Sequence, residues 1–485
     1  MWIEEDIQKD TQAIKKTVQD LARDYRAQLP RTIHSNLTEN KDNTNDFFKK
    51  FYEKLRGAEY EIYRRFESSS LRYVEDDRTK LAYDITEIKN SANDLPHPRI
   101  LSELQRTYDI RRNTANNGED DRYIPYKVYT YIREKSEFCI RFQTTIHNRT
   151  ITVYFITFPE SHFSVCSRNS TGSSSSSSLC ASEIAVYQMY AYKVMTWLSI
   201  VTSMSDKECS EKSLNVYFYM TPFKKQRPEP HALGDAAILS AIHVNTGLTR
   251  NCETHGEIVV YRTEEWFKVF VHESMHNFNM DFIDQDLRAA NEQLRRTFCI
   301  PHDDILLFET YTETWARIIN TMFSVYFQEN ASSSAHFIRA VREKITENAV
   351  FYAFQMVKVL DIMELRYAHI TIQSPENIAV CRKQYAEDTN VYAYYILGGI
   401  LSVYALPFIS WCCETNRGRG GAIRFSRNGG VISKFVDFIS RAARDPVVLS
   451  MVALIEKKGV VGGAPSPLLR PYSAAVYKTM RMTMD

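Results

Sequence analysis

With 485 residues, 44% of them hydrophobic, the chain is long enough for roughly two or three domains with sizeable cores. Its 60 basic and 59 acidic side chains nearly cancel, which excludes nucleic-acid binding driven by net charge. Nine cysteines, including the adjacent Cys412 and Cys413, do not read as a secreted disulfide framework, and Met1-Trp-Ile-Glu-Glu-Asp6 lacks the basic and apolar blocks of a signal peptide. An intracellular, reducing compartment is the expectation.

Residues 1–118 read as a charged N-terminal helical domain. Ile7, Ile14, Val18, Leu21 and Tyr25 recur at helical spacing, as do Phe47, Phe48, Phe51, Leu55 and Tyr60, with Lys41 to Asn45 as a loop between them. Such helices suit a bundle, a segment over a cleft or a docking surface for partner subunits.

A core over 119–330 follows. Alternation in Tyr126 to Ile132, Phe138 to Phe142 and Ile151 to Phe158 predicts antiparallel strands. Their interleaved Arg and Tyr residues are also usual on half-buried strands, so no nucleic-acid platform is inferred. Ser167 to Ser178 is a low-complexity loop, Ala181 to Met204 a helix and Leu214 to Met220 a strand. Ile242 to Thr249 is either a sheet edge, with Gly247 allowing close backbone approach, or a plain hairpin arm. Glu257 to Tyr261 is another strand. Thr263 then offers an N-cap, with Glu264 and Glu265 in the first helical turn.

The helix that follows contains His272-Glu273-Ser274-Met275-His276. Residues four apart lie on one helix face, so both imidazoles can reach one ion. Glu273 lies beside them, placed to hold a water without taking a coordination position. Trp266, Phe267, Val269, Phe270, Val271, Met275 and Phe278 make this helix apolar on most sides, hence buried, and buried imidazoles and acids need partners. Three protein ligands would leave a vertex open for water, as in catalytic zinc sites, and no Cys-x-x-Cys closes a thiolate site. The third ligand is expected on the helix after Pro301, capped by Asp303 or Asp304 and running to Phe327. Glu309 and Glu313 share one face there. One would bind Zn2+, and the other would accept the remaining N–H of a ligating histidine.

Helices follow over Ser334 to Leu365, Asn390 to Cys412 and Val431 to Lys457, forming a helical C-terminal subdomain at 331–460. Asn390 to Cys413 is uncharged and long enough for a bilayer, but its tyrosines, Gly398-Gly399 and Pro407 favour a buried helix. Asn416 to Gly421 is a flexible basic loop. Residues 461–485 read as a flexible tail, an arm to a partner subunit.

The pentad followed by a glutamate helix resembles the gluzincin metallopeptidases. Glu309-Thr-Tyr-Thr-Glu313-Thr-Trp315 is similar, more specifically, to the Glu-x-x-Ala-Glu-x-aromatic helix of the anthrax lethal factor and Pro-Pro endopeptidase group. That resemblance implies Glu309 as ligand and Glu313 behind it. Thr312 departs from that group's Ala, and the gap after His276 is shorter. Glu313-Thr-Trp-Ala316 also resembles the Glu-x-x-Ala start of other gluzincin ligand helices, which keeps Glu313 open as ligand. The group's oxyanion donor, a tyrosine seven residues before the ligand glutamate, corresponds to His302; Tyr311 is a second candidate donor. Val271 to Phe278 and Val244 to Thr249 are also similar to uncharacterised proteins of large DNA viruses. The resemblance spans residues 240–320 and implies an α+β, zincin-like catalytic domain with a mixed sheet and an active-site helix. The expected function is zinc-dependent peptide-bond hydrolysis with Glu273 as general base and a protein or peptide held along a sheet edge. The alternative is a structural or virion-associated interaction protein on the same fold, with weak or lost activity. A membrane-tethered protease would depend on residues 390–413.

Overall fold

The computed structural model describes residues 2–28, 41–69, 81–91, 93–103, 123–159, 179, 181–228, 238–300, 304–329, 331–418, 420–458 and 474–484. A mixed six-stranded sheet forms from its β-branched and aromatic runs. The strands are β1 (Ala82–Glu87), β2 (Phe138–Ile146), β3 (Arg149–Ile156), β4 (Ser213–Tyr219), β5 (Gly247–Thr249) and β6 (His255–Val260), in the order β1-β2-β3-β4-β6-β5. The helices that matter here are α1 (Trp2–Gln28), α2 (Lys41–Ser69), α3 (Tyr126–Lys135), α4 (Ala181–Met204), α5 (Trp266–Asn277), α6 (Leu307–Gln328) and α7 (Ser334–Ile362).

Local chemistry explains the topology. His147 and Asn148 both take positive φ, 47° and 64°, as a two-residue turn of primed type requires, so β2 and β3 pair as a hairpin in register from Ile146 opposite Arg149. Strands β3 and β4 are parallel and need a crossover, which α4 supplies. Strand β6 continues the parallel set, and β5 returns antiparallel at the edge. The parallel core is covered on both faces. Phe155 and Phe218, stacked at 4.9 Å, meet Tyr187 of α4 and Trp266 and Phe270 of α5. On the other face Tyr217, Tyr219, Val259 and Tyr261 bury Val128, Tyr129 and Ile132 of α3.

The segment 126–132 is therefore a helix, not the expected strand. Its buried positions, 128, 129 and 132, follow helical spacing, and Pro125 starts it. Strand β1 lies inside the region expected to be wholly helical, and Lys41 to Asn45 belongs to α2 rather than to a loop.

The chain divides into two compact units. One comprises Met1–Gln8, Glu53–Lys224 and Thr246–Asn279; the other comprises Lys9–Tyr52, Lys225–Asn245 and Met280–Asp485. Residues 1–118, expected as one domain, are thus shared out. The first unit holds the sheet, α4 and α5, with Arg65 of α2 ion-paired to Glu61 and donating to Thr144.

The second unit is helical. Phe47 of α2 packs on Trp315 at 5.5 Å, and an aromatic cluster of Phe282, Tyr311, Phe408, Phe425 and Phe435 forms its centre. The expected long helix 390–412 is a π-turn, Tyr392–Leu397, then Gly398–Val403, then Ala405–Thr415, bent by 90° at Tyr404. Pro407 has no N–H to offer the preceding turn, which favours the break there. Among the described residues no single helix is long and apolar enough to cross a membrane. The span 431–457 is likewise two helices, Val431–Ala442 and Pro446–Lys458, the second opened by Asp445, whose carboxylate accepts from Val447 N at 2.8 Å.

The tail differs from expectation where it is described. Met480, Met482 and Met484 are buried, and Tyr395 donates to the carbonyl of Met480 at 2.5 Å. Lys358 of α7, fully buried, donates to the carbonyls of Val476 and Thr479, and burial drives its ammonium well below the usual lysine range. Residues 474–484 are therefore packed in their own chain rather than extended as an arm; 461–473 lie outside the described residues. Ser167 to Ser178 lie outside them too.

Candidate metal centre

Helix α5 does not begin at the expected Thr263 cap. Thr263 forms a turn, its N–H donating to Thr221 O at 3.1 Å, and Glu265 sits at the N-cap position with φ 60°. Glu264 and Glu265 thus precede the helix rather than occupy its first turn. From Phe267 to Asn277 every residue is buried. Such burial with two imidazoles and an acid in the middle is what the apolar flanks demanded.

His272, Glu273 and His276 are 6%, 8% and 6% exposed. The Nε2 atoms of His272 and His276 face each other at 3.1 Å. Two nitrogens bound at 2.0–2.1 Å to a tetrahedral ion stand about 3.3 Å apart, so the pair is close to zinc spacing as it lies. Glu309, the expected third ligand, lies on α6 in the other unit. Two imidazoles and a carboxylate are a zinc-type donor set.

Glu273 leans on the edge strand. A Cβ built on Gly247 would lie 3.0 Å from Glu273 Cγ, 2.7 Å from Val269 Cγ1 and 2.9 Å from Val259 O. Only glycine leaves β5 this close to the acid. The helix is also pinned from behind, because Trp197 of α4 donates its indole N–H to Ser274 Oγ at 2.7 Å, inside the pentad.

Glu309 opens α6 and is only partly buried, whereas Glu313 is 1% exposed. Glu313 is ion-paired at 2.9 Å with Arg317 Nε, one turn on. Arg317 further donates to Gly398 O, Ser402 Oγ and Tyr394 O, and stands 4.8 Å from the Tyr352 ring. The sequence reading missed Arg317, although its i,i+4 spacing from Glu313 was a visible signal. Thr312, the departure from the lethal factor group, donates to Asp281 Oδ2 at 3.2 Å. Alanine there would leave that carboxylate one donor short.

Tyr311 does not fit its expected donor role. It is fully buried, donates to Ile423 O at 2.9 Å and accepts from Asn416 Nδ2 at 2.8 Å, and burial holds its phenol well above the usual tyrosine range. His302 lies outside the described residues.

One further feature departs from expectation. Cys209 and Cys252 form a disulfide, while Cys139, Cys299, Cys381, Cys412 and Cys413 are free. Comparison with protein-family models, with curated proteins and with solved structures finds no match to this chain.

Proposed function

We propose that the chain is a zinc-dependent endopeptidase in which His272, His276 and Glu309 hold the ion and Glu273 is the general base. The observation that carries this reading is the Nε2 pair of His272 and His276, 3.1 Å apart on one buried helix with Glu273 between them in sequence. When bound, the ion supplies Lewis acidity toward water and the scissile carbonyl. Glu273 takes the proton of the attacking water and passes it to the departing amine. Its stem against Gly247 limits where that carboxylate can swing. Glu309 contributes the negative charge that two neutral imidazoles lack. Glu313, ion-paired with Arg317, accepts the outer N–H of one ligating histidine in this reading. His302 is the candidate donor to the oxyanion. The peptide lies extended beside β5, the strand at the sheet's edge.

Elemental analysis and peptide cleavage test the proposal together. The purified chain is expected to carry about one zinc, in line with a single three-ligand site. Glu273→Gln should keep the metal and lose about 10²–10⁴-fold in cleavage rate. Wild-type protein without zinc, or unimpaired cleavage by Glu273→Gln, would overturn it; a zinc-bearing chain that cleaves no peptide would favour the interaction-protein alternative.

A further inference from the structure

The residue after the second histidine is buried completely and bonded on every side. Asn277 Oδ1 accepts from Ser210 Oγ at 2.8 Å, its Nδ2 donates to Thr249 Oγ1 and to Arg250 O, both at 3.2 Å, and its carbonyl accepts from Cys252 N at 3.1 Å. Three segments therefore meet on one residue: the loop after α4 and the end of edge strand β5 on its side chain, and the turn before β6 on its carbonyl. Each of these is itself fixed. Cys209 and Cys252, which flank the bonded groups, are joined by the disulfide. Arg149 reaches from β3 to the carbonyls of Asp206, Lys207 and Cys209. Thr249 Oγ1 in turn donates to Glu257 O at 2.6 Å. A Cβ on Gly256 would come within 3.0 Å of the Asn277 amide and collide with Ser210 Oγ, so the strand beside the amide is as bare as it can be.

A helix end has carbonyls with no partner in the helix, and an amide side chain with both donors spent is not needed merely to satisfy them. What this arrangement adds is a fixed position for the last turn of α5, and the His276 backbone belongs to that turn. We infer that Asn277 is a positioning residue for the metal centre: it sets where His276 stands relative to β5, and thereby the spacing of the two imidazoles. The inference rests on the zinc reading above. Metal affinity is steep in ligand placement, and groups that orient ligands are typically worth about 10–100-fold in affinity.

The test is zinc affinity, by competition with a chromophoric chelator, together with the zinc-dependent rise in melting temperature. A merely structural residue would lower the melting temperature with and without zinc by the same amount, leaving the difference intact. Asn277→Ala is expected to weaken zinc binding about 10–100-fold and to shrink that difference. Asn277→Asp, which keeps the acceptor for Ser210 and loses both donors, should fall in the same direction. Ser210→Ala and Thr249→Val each remove one bond and should weaken zinc by less; they carry the test if Asn277→Ala does not fold. Folded variants with wild-type zinc affinity would overturn the inference and leave the zinc reading standing. Wild-type protein that binds no zinc would overturn the reading itself.

Discussion

Helices α5 and α6 carry the two halves of the proposed ligand set, and they are held in different ways. Around α5 the ties are neutral: indole to hydroxyl at Ser274, amide to hydroxyl and carbonyl at Asn277. Around α6 neutral ties such as Tyr311 to Ile423 O are joined by charged ones: the Glu313–Arg317 ion pair, and the Asp281 carboxylate accepting from Thr312. A neutral tie, once cut, leaves one polar group short of a partner. An ionic tie, once cut, leaves a charge in a medium that cannot solvate it. The acid helix is therefore expected to be the more brittle of the two, although the histidine helix carries most of the proposed chemistry.

Glu313→Ala should show the largest effect on stability. It strands Arg317, 2% exposed, and breaking a buried pair from one side costs about 3–5 kcal/mol. Urea unfolding measures it, and a loss under about 1 kcal/mol would erase the contrast between the helices. Trp197→Phe should cost less, about 1–3 kcal/mol, near the low end because Ser274 Oγ still donates to Val271 O at 2.7 Å. A loss matching that of Glu313→Ala would mean that neutral ties hold as much as ionic ones.

Glu387 sharpens the comparison through pH, since it is a partly buried acid that accepts from neutral donors. Burial, the largest influence, pushes its carboxyl up to about 7, against donations from Tyr385 Oη and Tyr392 N at 2.6 Å each. The folded chain thus keeps this proton at pH values where the unfolded chain, near 4.5, has lost it. Its contribution to stability is fully present below about 4.5 and fades as pH rises to about 7. Denaturation midpoints across that window should fall with rising pH, and Glu387→Gln should flatten the slope. An unaltered slope in the variant would assign the dependence to other groups.

Much of the candidate centre was legible because it is local. The spacing of His272 and His276, and of Glu309 and Glu313, follows from 3.6 residues per turn, and strands β2, β3, β4 and β6 announce themselves by residue type. Helix α3 was misread because Tyr, Val, Thr and Ile favour strands in isolation, whereas its burial against Tyr219 and Tyr261 decides for a helix. Strand β1 lies in a charged stretch and is exposed at all six positions, and its alternation is short, Tyr83 and Ile85 with Asp84 and Thr86, so the helical reading of the region prevailed.

By itself, the sequence determined which helix carries the imidazoles and which carries the acids, since both patterns need only a few neighbouring residues. Tertiary structure alone decided that Arg317 engages Glu313, that Asn277 gathers three segments, that Cys209 finds Cys252, and that Lys358 grips the tail. The physical reason is range. Periodicity is a property of the adjacent chain, whereas the partner of a buried polar group is chosen by whichever distant segment the packing brings within hydrogen-bond reach.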